Sequence, residues 1–220
     1  MNPLPRPPVL VITDRKQTER PLLQVAAALL AGGCRWLSLR EPDLRPGERV
    51  NLLYRLVNLG ERAGATIGIH ADYEAAMTTG APSVHLPRHG SIKAARDYLG
   101  ARALIGISAH DGNEVQRALA LGADYVTLSP IFETASKPGY GPALGLKTLS
   151  DLCKALPIPV YALGGIDRGN AADCIAAGAA GVAIMGGAMR AADPEAMIRD
   201  VIAAIGGALV SARSASHSRL

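Results

Sequence analysis

Pro159-Val160-Tyr161-Ala162-Leu163-Gly164-Gly165 and, one helix-like segment later, Gly181-Val182-Ala183-Ile184-Met185-Gly186-Gly187 are two short apolar runs that each end in paired glycines. A strand that closes on Gly-Gly before a helix leaves backbone N–H groups uncovered by any Cβ, and such groups can close around a phosphate. Two of these turns in succession near the C-terminus predict a phosphate cup built from consecutive strands. The helical segments that accompany them are expected at residues 170–177 and 195–205.

The same alternation holds upstream. Strands are expected at residues 9–13, 36–40, 66–70, 83–86, 103–108 and 125–129, followed in turn by helices at 21–31, 46–63, 73–79, 92–99, 113–121 and 146–155. A phrase of the form helix–Gly–Ala–x–x–Val recurs at Gly80-Ala81-Pro82-Ser83-Val84, Gly122-Ala123-Asp124-Tyr125-Val126 and Gly178-Ala179-Ala180-Gly181-Val182. In each copy glycine stops a helix and a strand apolar on both faces follows, as in a covered parallel sheet. Eight such units without a break predict a single (β/α)8 TIM barrel over residues 9–207, with a flexible segment at 1–8 and a disordered basic tail at 208–220. The competing architecture, a doubly wound open sheet, should carry GxGxxG in its first turn, where Thr13-Asp14-Arg15-Lys16 stands instead.

Composition narrows the partners. Of 220 residues 49% are apolar and 19% charged, which suits a soluble packed domain. The formal charge of +4 is modest and no run interleaves basic with aromatic residues, so small anions fit better than nucleic acid. No apolar run reaches the roughly 20 residues of a membrane span, and residues 1–8 lack the apolar stretch of a signal peptide. Cys34, Cys153 and Cys174 are odd in number and without metal-ligand spacing, which predicts buried free thiols in a reducing cytoplasm. A homo-oligomer is retained as an expectation.

In a barrel, function gathers at the C-terminal strand ends, with phosphate held after strands seven and eight. That rim collects Arg40, His70, Arg88 with His89, Ser108 with His110, Ser129, the loop Thr134-Ala135-Ser136-Lys137 and the two glycine pairs. It is basic and hydroxyl-rich, and its few acids (Asp14, Glu41, Asp72, Asp111 and Glu133) make a site of several metal carboxylates hard to build. Arg40 could grip an anion bidentately or pair with Glu41 or Asp43. Lys137 suits closure over an anion. His70 is the acid/base candidate, whereas His85, between Val84 and Leu86, reads as a satisfied strand residue. Met185 reads as barrel packing.

These residues resemble the superfamily of thiamine phosphate synthase and the TenI-like thiazole tautomerase. The resemblance rests on Gly106-Ile107-Ser108-Ala109-His110, Gly122-Ala123-Asp124-Tyr125-Val126, Gly164-Gly165-Ile166 and above all Ser129-Pro130-Ile131-Phe132-Glu133-Thr134-Ala135-Ser136-Lys137. It implies a barrel that binds a thiazole phosphate at its rim. The synthases join it to a pyrimidine methyl diphosphate and release pyrophosphate; the tautomerases move a proton on a thiazole carboxylate phosphate. By position, Ser108, Thr134, Ser136 and Lys137 would face the pyrophosphate or the thiazole substituent, and Gly164, Gly165, Met185 and Gly186 would form the cup.

The chain departs from the synthase pattern on the other side of the mouth. Gln-x-Arg-Glu-Lys is replaced by Ser38-Leu39-Arg40-Glu41-Pro42, Asn-Asp by His70-Ala71, and the second expected magnesium carboxylate by Gly90. Arg88 and His89 stand where they could supply part of the missing charge, and Asp72 is displaced by one position. The tautomerase branch also lacks the Gln and Lys, but it places a catalytic histidine where Ser129 stands. The reading from sequence is therefore an enzyme that binds a thiazole phosphate and transfers a proton without metal or other cofactor, with His70, Arg40 and Lys137 as catalytic residues and Arg88 among those binding substrate. A synthase using Mg2+ is the first alternative, and a non-catalytic phosphate-ligand binder or regulator the second.

Overall fold

The computed structural model describes residues 2–134 and 142–217. Eight parallel strands close into one barrel: β1 Val9–Ile12, β2 Trp36–Leu39, β3 Thr66–His70, β4 Ser83–Leu86, β5 Leu104–Ala109, β6 Tyr125–Leu128, β7 Val160–Leu163 and β8 Gly181–Ile184. Each pairs with the next, and β1 pairs with β8 at Val9–Val182, Leu10–Ala183 and Val11–Ile184. That last pairing rules out the open sheet. The helices that follow are α1 Leu22–Ala31, α2 Pro46–Arg62, α3 Tyr73–Thr79, α4 Ile92–Leu99, α5 Gly112–Ala120, α6 Gly145–Ala155, α7 Ala171–Ala176, α8 Gly186–Met189 and α9 Pro194–His217.

Local chemistry accounts for where the helices begin and end. Asp72, Ser91 and Asp111 accept hydrogen bonds from the backbone N–H of Ala75, Ala94 and Glu114, capping α3, α4 and α5. The recurring Gly–Ala phrase is one C-terminal motif used three times. Gly80, Gly122 and Gly178 take φ of 72, 79 and 104°, and the following alanine returns its N–H to the carbonyl five residues back: Ala81 to Ala76, Ala123 to Ala118 and Ala179 to Cys174, each at 3.0 Å. The turn buries the alanine and aims the chain into the next strand.

Strand alternation sorts the core into two layers. Val9 and Val11 face the helices within the large outer cluster, whereas Leu10 and Ile12 face the barrel axis. On the axis Trp36 lies edge-on to Tyr125 and Tyr161, with ring centroids 4.7 and 5.1 Å away. The strands make room for these rings with glycine. A Cβ at Gly106 would overlap the Tyr125 ring, and one at Gly181 would overlap Tyr161 and the Pro8 carbonyl.

Three expectations drawn from the sequence change. Residues 2–8, read as flexible, are fastened under the barrel. The Asn2 side chain donates to the carbonyls of Ala101 and Ala103 at 3.1 and 3.0 Å, its backbone N–H to Asp124 at 3.0 Å, and Leu4 packs on the inner cluster. At the other end α9 runs to His217, beyond the 195–205 expected and into the stretch read as a disordered tail. Gly206 and Gly207 lack the positive φ with which Gly80 ends α3, so they do not stop it. Finally, Cys34 and Cys174 are buried but Cys153 is only partly so, and all three are free thiols; burial pushes the Cys34 thiol up to about 12. No helix among the described residues is long and apolar enough to cross a membrane.

The packing of Gly106 makes a direct test. Gly106→Ala should cost about 2 kcal/mol by overpacking against Tyr125, read as a lower denaturant midpoint with an unchanged slope. A wild-type midpoint would show that the axis has slack.

Candidate active site

The aromatic rings fill the lower barrel, and above them the C-terminal strand ends open into a cavity of about 500 Å³. One wall is the glycine cup. Gly164 and Gly165 take φ of 96 and 65°, and the loop after β6 lies against them: added Cβ atoms would come 2.8 Å from Pro130 Cα and 2.7 Å from Phe132 Cβ. Asn170 donates to the Gly165 carbonyl at 2.8 Å and accepts from the Asp167 N–H at 2.9 Å, which fixes the turn. After β8, Gly186 and Gly187 open α8, and first-turn N–H groups have no carbonyl of their own helix to reach. Met185 both lines the cavity and packs on the inner cluster.

Arg190, at the end of α8, also lines this wall and hydrogen-bonds the Gln17 side chain, which in turn donates to Asp14 at 2.7 Å. Neither α8 nor the 3-10 turn at Arg15–Gln17 is legible in the sequence, so Arg190 was missed there; Asn170 was read only as the start of a helix. The short Gly-Gly-Ala-Met run carries no periodicity to find.

The opposite wall is cationic. Arg40 follows β2 and donates its backbone N–H to Thr13 Oγ1 at 2.9 Å. Its expected rivals are taken. Arg15 binds Asp43 at 2.7 Å and approaches Glu41 at 3.7 Å, and Glu41 is buried, accepting from Thr13 and the Arg15 N–H. Burial pushes the Glu41 carboxyl up, against the pull of those hydrogen bonds. Among the described residues nothing pairs with the Arg40 guanidinium, so the ion-pair alternative for Arg40 falls. Arg88 lies further round with Nε 3.3 Å from Glu114, which also accepts from His110 Nδ1 at 3.0 Å. His89 is exposed and lies outside the cavity lining, so it adds no charge there.

Between the walls sit the hydroxyls and imidazoles. His70 reaches the cavity from the end of β3 with Nδ1 3.1 Å from Ser38 Oγ, and its ring lies 4.6 Å from that of His85. Ser38 and His70 are two departures from the synthase pattern, and here they touch each other. His85 is buried as expected, with Nδ1 3.0 Å from the Tyr125 hydroxyl and Nε2 3.0 Å from Ser108 Oγ and 3.2 Å from Thr127 Oγ1. Desolvation lowers its pKa to about 3, so it is neutral at pH 7. Ser108, Ser129 and Thr134 line the cavity, whereas Ser136 and Lys137 lie outside the described residues.

Residues 9–188 match the family described as thiamine monophosphate synthase. The chain belongs to that family. It is 40% identical over 195 residues to a putative thiamine-phosphate synthase of Geobacter sulfurreducens, covering 88% of this chain and 92% of that one. It is 35% identical over 214 residues to the thiamine-phosphate synthase of a Roseiflexus species, covering 94% and 91%. Thiamine phosphate pyrophosphorylase from Pyrococcus furiosus superposes with a TM-score of 0.83 at 25% identity, over 91% of this chain and 96% of its own.

The synthase resemblance implies magnesium held by carboxylates after β3 and β4, and the donors present do not fit it. Position 71 is alanine, in a left-handed backbone at φ 62° that it alone adopts among described non-glycine residues. Position 90 is Gly90, where an added Cβ would come 2.7 Å from Leu86 Cβ. Asp72 caps α3 and binds Arg49 at 2.9 and 2.6 Å. Among the described residues no group of three or more His, Cys, Asp or Glu could hold a metal.

The neutral, buried His85 predicts how stability follows pH. Its folded pKa of about 3 lies below the ordinary 6.5, so between those values the unfolded chain binds the extra proton and stability falls as pH falls. The slope from this group approaches about 1.4 kcal/mol per pH unit below 6.5. Denaturant midpoints from pH 7 to pH 4 should show that loss, and a His85→Gln variant should lose less over the same range.

Proposed function

We propose that the chain is a thiamine-phosphate synthase, which joins a pyrimidine methyl diphosphate to a thiazole phosphate. The observation that carries this is a single cavity with a backbone cup at one end and two guanidinium groups at the other, in a chain 40% identical to a relative named for that activity. The order of readings reached from sequence is thereby reversed. The relatives reported above carry the synthase's name, and a rim with two anion-binding ends suits two phosphorylated substrates.

The cup of Gly164, Gly165 and Gly186 takes the thiazole phosphate through backbone N–H groups, which places the ring over the mouth. Ser108 and Thr134 lie between the two ends and orient the diphosphate. The thiazole nitrogen attacks the pyrimidine methylene carbon; a C–N bond forms, the C–O bond to the diphosphate breaks, and pyrophosphate leaves with the electron pair. Cations aimed at the leaving oxygens lower the barrier because charge grows there in the transition state. The reaction needs no general base at the attacking nitrogen, so His70 acts as a hydrogen-bonding wall group held by Ser38.

Tautomerase chemistry remains a second reading on one observation: positions 71 and 90 lack carboxylates while His70 faces the cavity. Incubation with both substrates separates the two. Thiamine phosphate and pyrophosphate should form in equal amounts. Isomerisation of thiazole carboxylate phosphate without condensation would select the tautomerase, and binding without either product a non-catalytic role. Gly165→Ala, which puts a Cβ on a positive φ, should raise KM for the thiazole phosphate by about tenfold with a smaller change in kcat.

A further inference from the structure

We propose that the diphosphate end of this cavity is a fixed-cation site, in which Arg40 and an Arg88 steered by Glu114 bind pyrophosphate oxygens without a divalent metal. The inference rests on the synthase reading for its biological meaning, but the site itself stands on the geometry.

The metal's donors are missing in ways that one another's neighbours cannot mend. Position 71 offers a methyl group, and Asp72 next to it is spent on the α3 cap and Arg49. Position 90 is closed to a side chain by Leu86 and Pro87. The remaining acids at the cavity, Glu133 and Asp167, lie on the loops after β6 and β7, beside the cup, and Asp167 already accepts from the Gly169 N–H at 2.7 Å.

Cations stand where the metal's charge is lacking. Arg15 binds Asp43 and lies against Glu41, so among the described residues the Arg40 guanidinium has no ion-pair partner, and Arg40 lines the cavity. A second hollow of about 500 Å³ adjoins the first, sharing Arg40, His70 and Pro87; Ala71 lines it together with Glu41, Asp72 and Glu74, of which Glu41 is engaged by Thr13 and the Arg15 N–H and Asp72 by Arg49. Space left by the short residue at 71 therefore opens beside Arg40. Arg88 meets Glu114 through Nε, which leaves its terminal nitrogens for a ligand. Glu114 holds both the His110 backbone N–H, at 2.8 Å, and the His110 ring. It is a positioning residue, fixing Arg88 from α5. Guanidinium forks match phosphate oxygens bidentately, and two of them oppose most of a pyrophosphate's charge.

The test is calorimetric titration of the full chain with inorganic pyrophosphate, in buffer containing EDTA and in buffer containing Mg2+. Pyrophosphate should bind in EDTA, with Kd changed less than about threefold by Mg2+. Arg40→Gln and Arg88→Gln should each weaken it by about tenfold, and Arg40→Lys by less, because charge remains and the fork is lost. Inorganic phosphate binding at the cup and the thermal midpoint should be unchanged in these variants. Glu114→Gln should weaken pyrophosphate binding in the wild type yet add nothing to Arg88→Gln, which a merely structural role would not produce. Binding that appears only with Mg2+, or arginine variants that bind as the wild type does, would overturn the proposal. Failure of the condensation assay while metal-free pyrophosphate binding persists would count against the synthase reading alone.

Discussion

Trp36, wedged edge-on between Tyr125 and Tyr161 on the barrel axis, is the contact on which the site above depends. All three rings come from the first halves of their strands, so bulk is spent at the bottom of the barrel and the top is left to small polar groups. Gly106 and Gly181 give the rings their room. The Tyr125 hydroxyl then reaches His85, and His85 reaches Ser108 at the cavity floor. The packed lower layer thus determines where the first polar layer stands. The indole N–H of Trp36 is buried without a partner among the described residues, a cost of about 1–3 kcal/mol that the surrounding aromatic burial offsets.

The two walls of the mouth are built differently. On the β7–β8 side the wall is mostly glycine backbone, fixed by Asn170, with Arg190 beside it. On the β2–β4 side the wall is made of side chains, and which of them stay unpaired among the described residues depends on who else claims the neighbouring acids. Arg15 decides that question for Arg40, and Glu114 decides it for Arg88. The contact between Ser38 and His70 shows the same interdependence. A glutamine replaced by serine and an asparagine replaced by histidine look like separate losses in sequence, but in space they form one hydrogen-bonded pair.

Much of this was legible before the fold was known. The eight strands follow from short apolar runs and the helices from their spacing, because a covered parallel sheet imposes those patterns locally. The glycine turns after β7 and β8 were legible because paired glycines mark where a strand ends and the chain turns. The rest depended on distant partners. Arg88, His110 and Glu114 meet only because β4, β5 and α5 are neighbours in the barrel. Arg190 needed a four-residue helix too short to show a period. Asn2 looked loose because nothing nearby in sequence says that Asp124 awaits it. The order of the functional readings changed for a related reason: weight fell on residues absent from the pattern, while the pairings that leave Arg40 without a partner among the described residues could not be seen.

Ala71 carries a last implication. Its left-handed φ is imposed from both sides, by its N–H on the His85 carbonyl at 2.9 Å and by Asp72 starting α3 immediately after. Alanine has no preference for this region and gives up about 1 kcal/mol to occupy it, whereas Asn, Asp or Gly sits there more easily. The main chain thus holds a bend that suits other residue types better than the alanine it carries. Backbone and side chain are independent here because hydrogen bonds on either side fix the bend, so the outline of a barrel mouth is a poor guide to which ions it accepts.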